Sequence, residues 1–122
     1  MVERISDSEY AVMEVLWHNA PLTAAQVCDA LTGHRDWSSQ TVKTLLARLV
    51  SKGALATEED GRRYLYRPLV ARDDHHAHES QRLIDRLFGG RISPMVAHLA
   101  ERETLSEDDL AELKALIERL ES

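Results

Sequence analysis

A mainly α fold carrying one small β-wing is predicted by three observations in this 122-residue sequence. One helix-start device recurs four times, an Asp-Gly turn lies between two β-type runs, and the elements follow in the order helix, helix, helix, hairpin, helices. The first four elements in that order make a winged helix-turn-helix. Residues 1–70 are therefore expected to form that unit, and residues 71–122 a helical dimerisation region.

The recurring device is a hydroxyl N-cap with an acceptor three residues on, and an apolar staple from the residue before the cap to the fourth helical position. Ser6 with Glu9, stapled by Ile5 and Tyr10, opens a helix to about His18 whose inner stripe includes Val12, Met13, Leu16 and Trp17. Asn19-Ala20-Pro21 ends it. Thr23 with Gln26, stapled by Leu22 and Val27, opens a short helix through Leu31 that stops at Gly33. Ser38, stapled by Trp37 and Val42, opens a third that runs to Lys52, where Gly53 tolerates a left-handed cap. The period then turns extended: Leu55–Glu58 and Arg62–Arg67 flank Glu59-Asp60-Gly61, a hairpin pattern that Pro68 closes. From Asp73 the pattern is helical again. Leu83, Ile84, Leu87 and Phe88 form a stripe broken by Gly89-Gly90, and Ser93-Pro94 restarts a helix with proline at its first position. Ser106 with Asp109, stapled by Leu105 and Leu110, opens the last helix, whose Leu110, Leu113, Ile117 and Leu120 form a heptad-like seam. Together with Leu83, Leu87 and Phe88 that seam predicts a homodimer, or else packing within one chain.

A formal charge of −6 is unusual for a nucleic-acid binder, but its distribution is uneven. Residues 1–70 hold eight basic and nine acidic side chains, whereas residues 71–122 hold seven and twelve. The acidity belongs to the tail. Between Ser38 and Thr57 stand Lys43, Arg48 and Lys52 with no acid, and Arg62, Arg63 and Arg67 cluster on the returning strand. Phosphate contacts need local, not global, positive charge. On a helical wheel the third helix turns Val42, Leu45, Leu46, Leu49 and Val50 inward and Gln40, Lys43, Thr44, Ala47, Arg48 and Ser51 outward. Ser39, Gln40, Thr41 and Thr44 near its start suit base edges or phosphates, while Lys43, Arg48, Arg62, Arg63 and Arg67 suit phosphates. An ordinary solvated helix face and a charged edge strand are the alternatives.

These residues also carry a resemblance. Ile5–Glu9, Val12–Trp17, Pro21–Ala24, Thr41–Leu49, Lys52–Leu55, Gly61–Val70 and Phe88-Gly89-Gly90, in that order and spacing, resemble the BlaI/MecI penicillinase-repressor family of bacterial transcription regulators, which includes copper-responsive repressors of the CopY type. The match covers nearly the whole chain. It implies a dimeric repressor on an inverted-repeat operator of double-stranded DNA, with an expectation of antibiotic resistance at family level only. It also implies induction through a membrane sensor with a metalloprotease domain, which cuts the repressor in its dimerisation region at an Asn-Phe bond. The aligned residues here are His98 and Leu99, a departure that implies another protease preference or another route. The tail also lacks the cysteines of the copper-responsive branch.

Other chemistry is sparse. His75 with His78 or Glu79 shares a helix face at ligand spacing, so a metal-responsive repressor is one alternative, and a polar helix start is the plain reading. Cys28 cannot form an internal disulfide and suits a small core position. Trp17 and Trp37 suit core or staple positions. There is no nucleophile elbow, phosphate-cradling glycine loop, two-histidine zinc motif or Cys-x-x-Cys pair, so neither enzymatic activity nor a cofactor is expected. No apolar run is long enough to span a membrane and no secretory signal opens the chain, which makes the cytoplasm the expected location, without membrane contact. A winged helix that docks a protein instead of DNA is the competing function, and the acid-free stretch from Ser38 to Thr57 speaks against it.

Overall fold

Local hydrogen bonds at four hydroxyl residues set four of the helix starts. In the computed structural model, which describes residues 4–122, Ser6, Thr23 and Ser106 close full capping boxes with Glu9, Gln26 and Asp109. Each hydroxyl accepts from the backbone N–H three residues on, and the third residue's side chain accepts from the cap's own N–H. Ser38 accepts from the Thr41 N–H at 3.1 Å. The elements that result are α1 (Asp7–His18), β1 (Leu22–Thr23), α2 (Ala24–Leu31), α3 (Ser39–Ser51), β2 (Leu55–Asp60), β3 (Arg63–Pro68), α4 (Arg72–Phe88), α5 (Ile92–Glu101) and α6 (Glu107–Glu121).

The sheet is antiparallel with strand order β1-β3-β2. Two of its features differ from expectation. Leu22 and Thr23, read as a staple and a cap, also pair with Tyr66 and Leu65. The hairpin turn is Gly61-Arg62 rather than Asp60-Gly61, because Asp60 still pairs with Arg63. Gly61 sits at φ +67° while Arg62 keeps a negative φ, the II′ pattern with glycine first that suits the twist of two strands. Arg62 is thus a turn residue, not a strand residue. Pro68 ends β3 opposite Leu55, as the ladder's last position allows.

One apolar core joins three helices to the sheet. Val12, Met13 and Leu16 of α1, Val27 and Leu31 of α2, Val42, Leu45, Leu46 and Leu49 of α3, and Leu55 of β2 are buried together with Ile5 and Ala54. Fully burying each such side chain is worth roughly 1.5–3 kcal/mol, so the four from α3 dominate how that helix is seated. Trp17, Cys28 and Trp37 are half-buried against the same core.

A half-buried ion pair joins two of its helices. Glu9, with its side chain only 2% exposed, receives the Lys52 ammonium from the end of α3 and the Ser6 N–H at 2.8 Å, and Lys52 also donates to the Arg4 carbonyl at 2.8 Å. Burial pushes the Glu9 carboxyl up, but the hydrogen bonds from Lys52 and Ser6 outweigh it and hold the group below its ordinary range. Lys52, counted from the sequence among the cations of a docking surface, is a structural residue.

The chain divides into two compact units, one up to His75 and one from His76. The first turn of α4 belongs to the first unit. There Arg72 pairs with Glu14 at 3.0 Å, the Trp17 indole donates to the Val70 carbonyl at 2.8 Å, and His75 lies against the rings of Tyr10 and Trp17 at 5.4 and 5.5 Å. Burial, with hydrogen bonding to Glu14, pushes the Tyr10 phenol above its ordinary value.

The second unit is built differently. α4 ends at Gly89 and Gly90, both at positive φ. α5 begins at Ile92, two residues before the expected first position at Pro94, so Pro94 occupies the third helical position, where a missing N–H is still harmless. Among its described residues Ile84 is the one buried apolar side chain, while Leu83, Leu87, Ile92, Leu110, Leu116, Ile117 and Leu120 are exposed.

The ion pair yields a measurable consequence. Because the folded-state pKa of Glu9 is depressed, its contribution is complete above the ordinary carboxylate range and is lost as pH falls through the lowered folded value. Urea unfolding of the wild type at falling pH should show that loss, and Glu9→Gln should flatten it. Lys52→Ala, which strands a buried carboxylate, should cost about 3 kcal/mol at pH 7; a cost near zero would mean that Glu9 is adequately solvated without its partner.

Candidate nucleic-acid interface

Seating α3 by its four buried residues turns the opposite side outward. Ser39, Gln40, Thr41, Lys43, Thr44, Ala47, Arg48 and Ser51 are all exposed, which matches the wheel read from sequence. Two hydroxyls of this face are occupied locally. The Thr41 hydroxyl lies 3.1 Å from that of Ser38, joining the cap, and Thr44 donates to the Gln40 carbonyl at 3.0 Å. Each oxygen keeps acceptor capacity. Ser39 and Gln40 occupy the first turn of a 13-residue helix, where unpaired N–H groups and the helix dipole favour an anion.

The cations fall into two classes. Lys43 and Arg48 on α3, and Arg62 at the wing turn, form no ion pair among the described residues. Arg63 and Arg67 are paired: Arg63 binds Asp60 through Nε and Nη2 at 3.1 and 2.9 Å, and Arg67 binds Glu58 at 2.7 Å. The acid-free stretch seen in the sequence ends where β2 begins to carry Glu58, Glu59 and Asp60, and folding brings two of these acids onto the wing arginines. The wing is therefore less positive than its arginine count suggests.

Arg35 is a cation that sequence reasoning missed. It stands on the turn between α2 and α3, its guanidinium 5.3 Å from the centroid of the Trp37 ring. Its backbone N–H donates to the Leu31 carbonyl at 2.9 Å. A basic residue two positions before the stapling tryptophan was the signal available for it.

The remaining candidates are scattered. His75, a candidate metal ligand with His78, is buried in the aromatic cluster with Tyr10 and Trp17 while His78 is exposed. Among the described residues no group of three His, Cys, Asp or Glu side chains gathers as a metal site. His98 and Leu99 lie inside α5, His98 exposed and 6.1 Å from the Phe88 ring, Leu99 half-buried. Phe88 and Leu113 are half-buried, and the rest of the predicted seam, Leu83, Leu87, Leu110, Ile117 and Leu120, is exposed. No described helix is long and apolar enough to cross a membrane.

Comparison with known proteins gives this geometry a context. The chain is 32% identical to a penicillinase repressor of Bacillus licheniformis, over 96% of this chain and 91% of that one. It is 29% identical to the methicillin resistance regulatory protein MecI of Staphylococcus aureus strain N315, over 94% of each. Among solved structures, the DNA-binding domain of the repressor BlaI is similar with a TM-score of 0.55 and 35% identity, covering 61% of this chain and 90% of that one. The Bacillus licheniformis BlaI monomer in complex with the blaP half-operator matches at a TM-score of 0.53 with the same identity and coverage. The family model for the penicillinase repressor matches residues 5–119, so all but the extreme ends fit one pattern and the chain belongs to the penicillinase-repressor family.

Proposed function

We propose that this penicillinase-repressor family member is a DNA-binding transcriptional repressor that works as a homodimer on inverted-repeat operators. The observation that carries the reading is the outward face of α3, where Lys43 and Arg48 stand unpaired beside Gln40 and Thr44, on a helix whose other side is locked into the core. In a helix-turn-helix the second helix enters the major groove and its early residues meet base edges. Gln40 and Thr44 then read bases, Ser39 and Thr41 meet phosphate at the helix start, and Lys43, Arg48 and Arg62 bind phosphates along the groove. The relative solved with a half-operator supports the DNA partner.

The second unit supplies the pairing. Its exposed leucines and isoleucines, on α4 and α6 above all, are too many for a solvated surface, and a second copy of the same unit is the natural cover. A two-fold axis then sets two α3 helices about one duplex turn apart, which calls for a palindromic site. On this reading residues 1–70 bind DNA, residues 71–122 dimerise, and the protein acts in the cytoplasm. Cleavage at His98-Leu99 by a protease under a membrane sensor is the induction route in keeping with the family. Since that bond lies within α5, it first requires the helix to open locally.

A mobility shift on the promoter region of the protein's own gene, taken over a salt series, tests the function; no binding to any inverted repeat at low salt would refute it. Lys43→Ala, Arg48→Ala and Arg62→Ala should each weaken binding to all sequences and shallow the log–log salt slope by about 1. Gln40→Ala or Thr44→Ala should instead relax base preference, by about 1–3 kcal/mol at the position read.

The dimer is tested by sedimentation. Ile117→Asp with Leu120→Asp should give monomers at micromolar concentration, and an unchanged dimer would place the interface elsewhere.

A further inference from the structure

The β-wing pairs its own arginines with its own acids. Strand residues alternate between faces, and the register pairs Asp60 with Arg63, Glu58 with Leu65 and Ala56 with Arg67. Asp60, Glu58, Arg63 and Arg67 therefore share one face of the hairpin, while Glu59, opposite Tyr64, is on the other. On the shared face each arginine is held, Arg63 by both Nε and Nη2 on Asp60 and Arg67 by Nη2 on Glu58. The pairs are solvated, with side chains 49–63% exposed. Exposed pairs of this kind are weak and readily exchanged.

We propose that Glu58 and Asp60 set the protein's sequence-independent affinity for DNA, acting as a brake that keeps Arg67 and Arg63 from phosphate until a duplex is properly seated. The inference rests on the DNA-binding reading above. A phosphate must displace a carboxylate from each arginine, and the displaced carboxylate then faces the polyanion. The exchange is therefore unfavourable on a duplex that merely passes, and is met only where α3 holds the wing against the groove. Lys43, Arg48 and Arg62 carry no such penalty and are left to make the first contacts.

Glu59 provides an internal control, since neutralising it changes the charge of the same strand by the same amount on the opposite face. Binding to a random-sequence duplex of about 30 base pairs is measured over a salt series for the full chain and its variants. Asp60→Asn and Glu58→Gln should each raise affinity about threefold and steepen the log–log salt slope by about 0.9, the effect of one additional neutralised phosphate. Glu59→Gln should do clearly less. The gain from Asp60→Asn should vanish when Arg63→Ala is added, and that from Glu58→Gln when Arg67→Ala is added, as a double-mutant cycle requires of a direct partner. If Glu59→Gln matches the other two, or the gains survive loss of the arginines, general repulsion accounts for them and the brake is overturned. If affinity is unchanged or falls while the wild type binds, the brake is overturned and the DNA reading stands. If neither wild type nor variants bind any duplex at low salt, both fall.

Discussion

The contact on which the winged unit turns is the carboxylate of Glu9. One side chain closes the capping box at the start of α1, satisfies the Ser6 N–H, and receives the ammonium of Lys52 from the far end of α3. A buried carboxylate without such partners would be costly, and breaking one bond strands the other charge. The first turn of α1 is thereby tied to the last turn of α3, while Val12, Met13 and Leu16 fill the space beside Leu45, Leu46 and Leu49. With its C-terminal end fixed by charge and its inner face by packing, α3 has no rotational freedom left to spend. The orientation of Gln40, Lys43, Thr44 and Arg48 toward solvent follows from that.

Charge is managed residue by residue in this protein, and counts along the chain describe it poorly. Six cations stand on α3 and the hairpin or just beyond, but Lys52 serves the core and Arg63 and Arg67 are held by neighbouring carboxylates. What remains unpaired there is Lys43, Arg48 and Arg62. A DNA-binding surface with few free cations has modest sequence-independent affinity, because that term grows with the number of phosphates neutralised. On the proposed DNA reading, discrimination among sequences would rest on the outward residues of α3, and the acidic character of the chain as a whole is no obstacle to it.

The parts of this fold legible in the sequence are the ones decided locally. The Ser6, Thr23, Ser38 and Ser106 caps depend on atoms within four residues, and the inward face of α3 depends only on the helical period. β1 was not legible, because two residues become a strand only when Tyr66 and Leu65, more than forty positions later, arrive beside them. The wing turn slipped by one residue for a related reason. Asp60-Gly61 satisfies the I′ preference on paper, but the pairing of Asp60 with Arg63 leaves Gly61-Arg62 as the loop. Lys52 and the two paired arginines share that origin, since nothing at their own positions reveals which carboxylate folding brings near. The burial of His75 has the same origin, since its neighbours in space are Tyr10 and Trp17, some sixty residues earlier.

The second unit obeys a different economy. A stretch of 47 residues whose one buried apolar side chain is Ile84 has little to set against the entropy of ordering its helices. α5, at ten residues and with no buried side chain, is shorter than a helix that holds itself in water. Stability must therefore come from whatever covers Leu87, Ile92, Ile117 and Leu120, and on the dimer reading folding of this unit and pairing of two chains are one equilibrium. On the same proposed reading, joining two winged units would make the second half-site contact intramolecular, and operator affinity would rest on that equilibrium as well as on α3. In that proposal, an event that opens or severs α5 would weaken DNA binding while leaving Gln40, Lys43, Thr44 and Arg48 untouched.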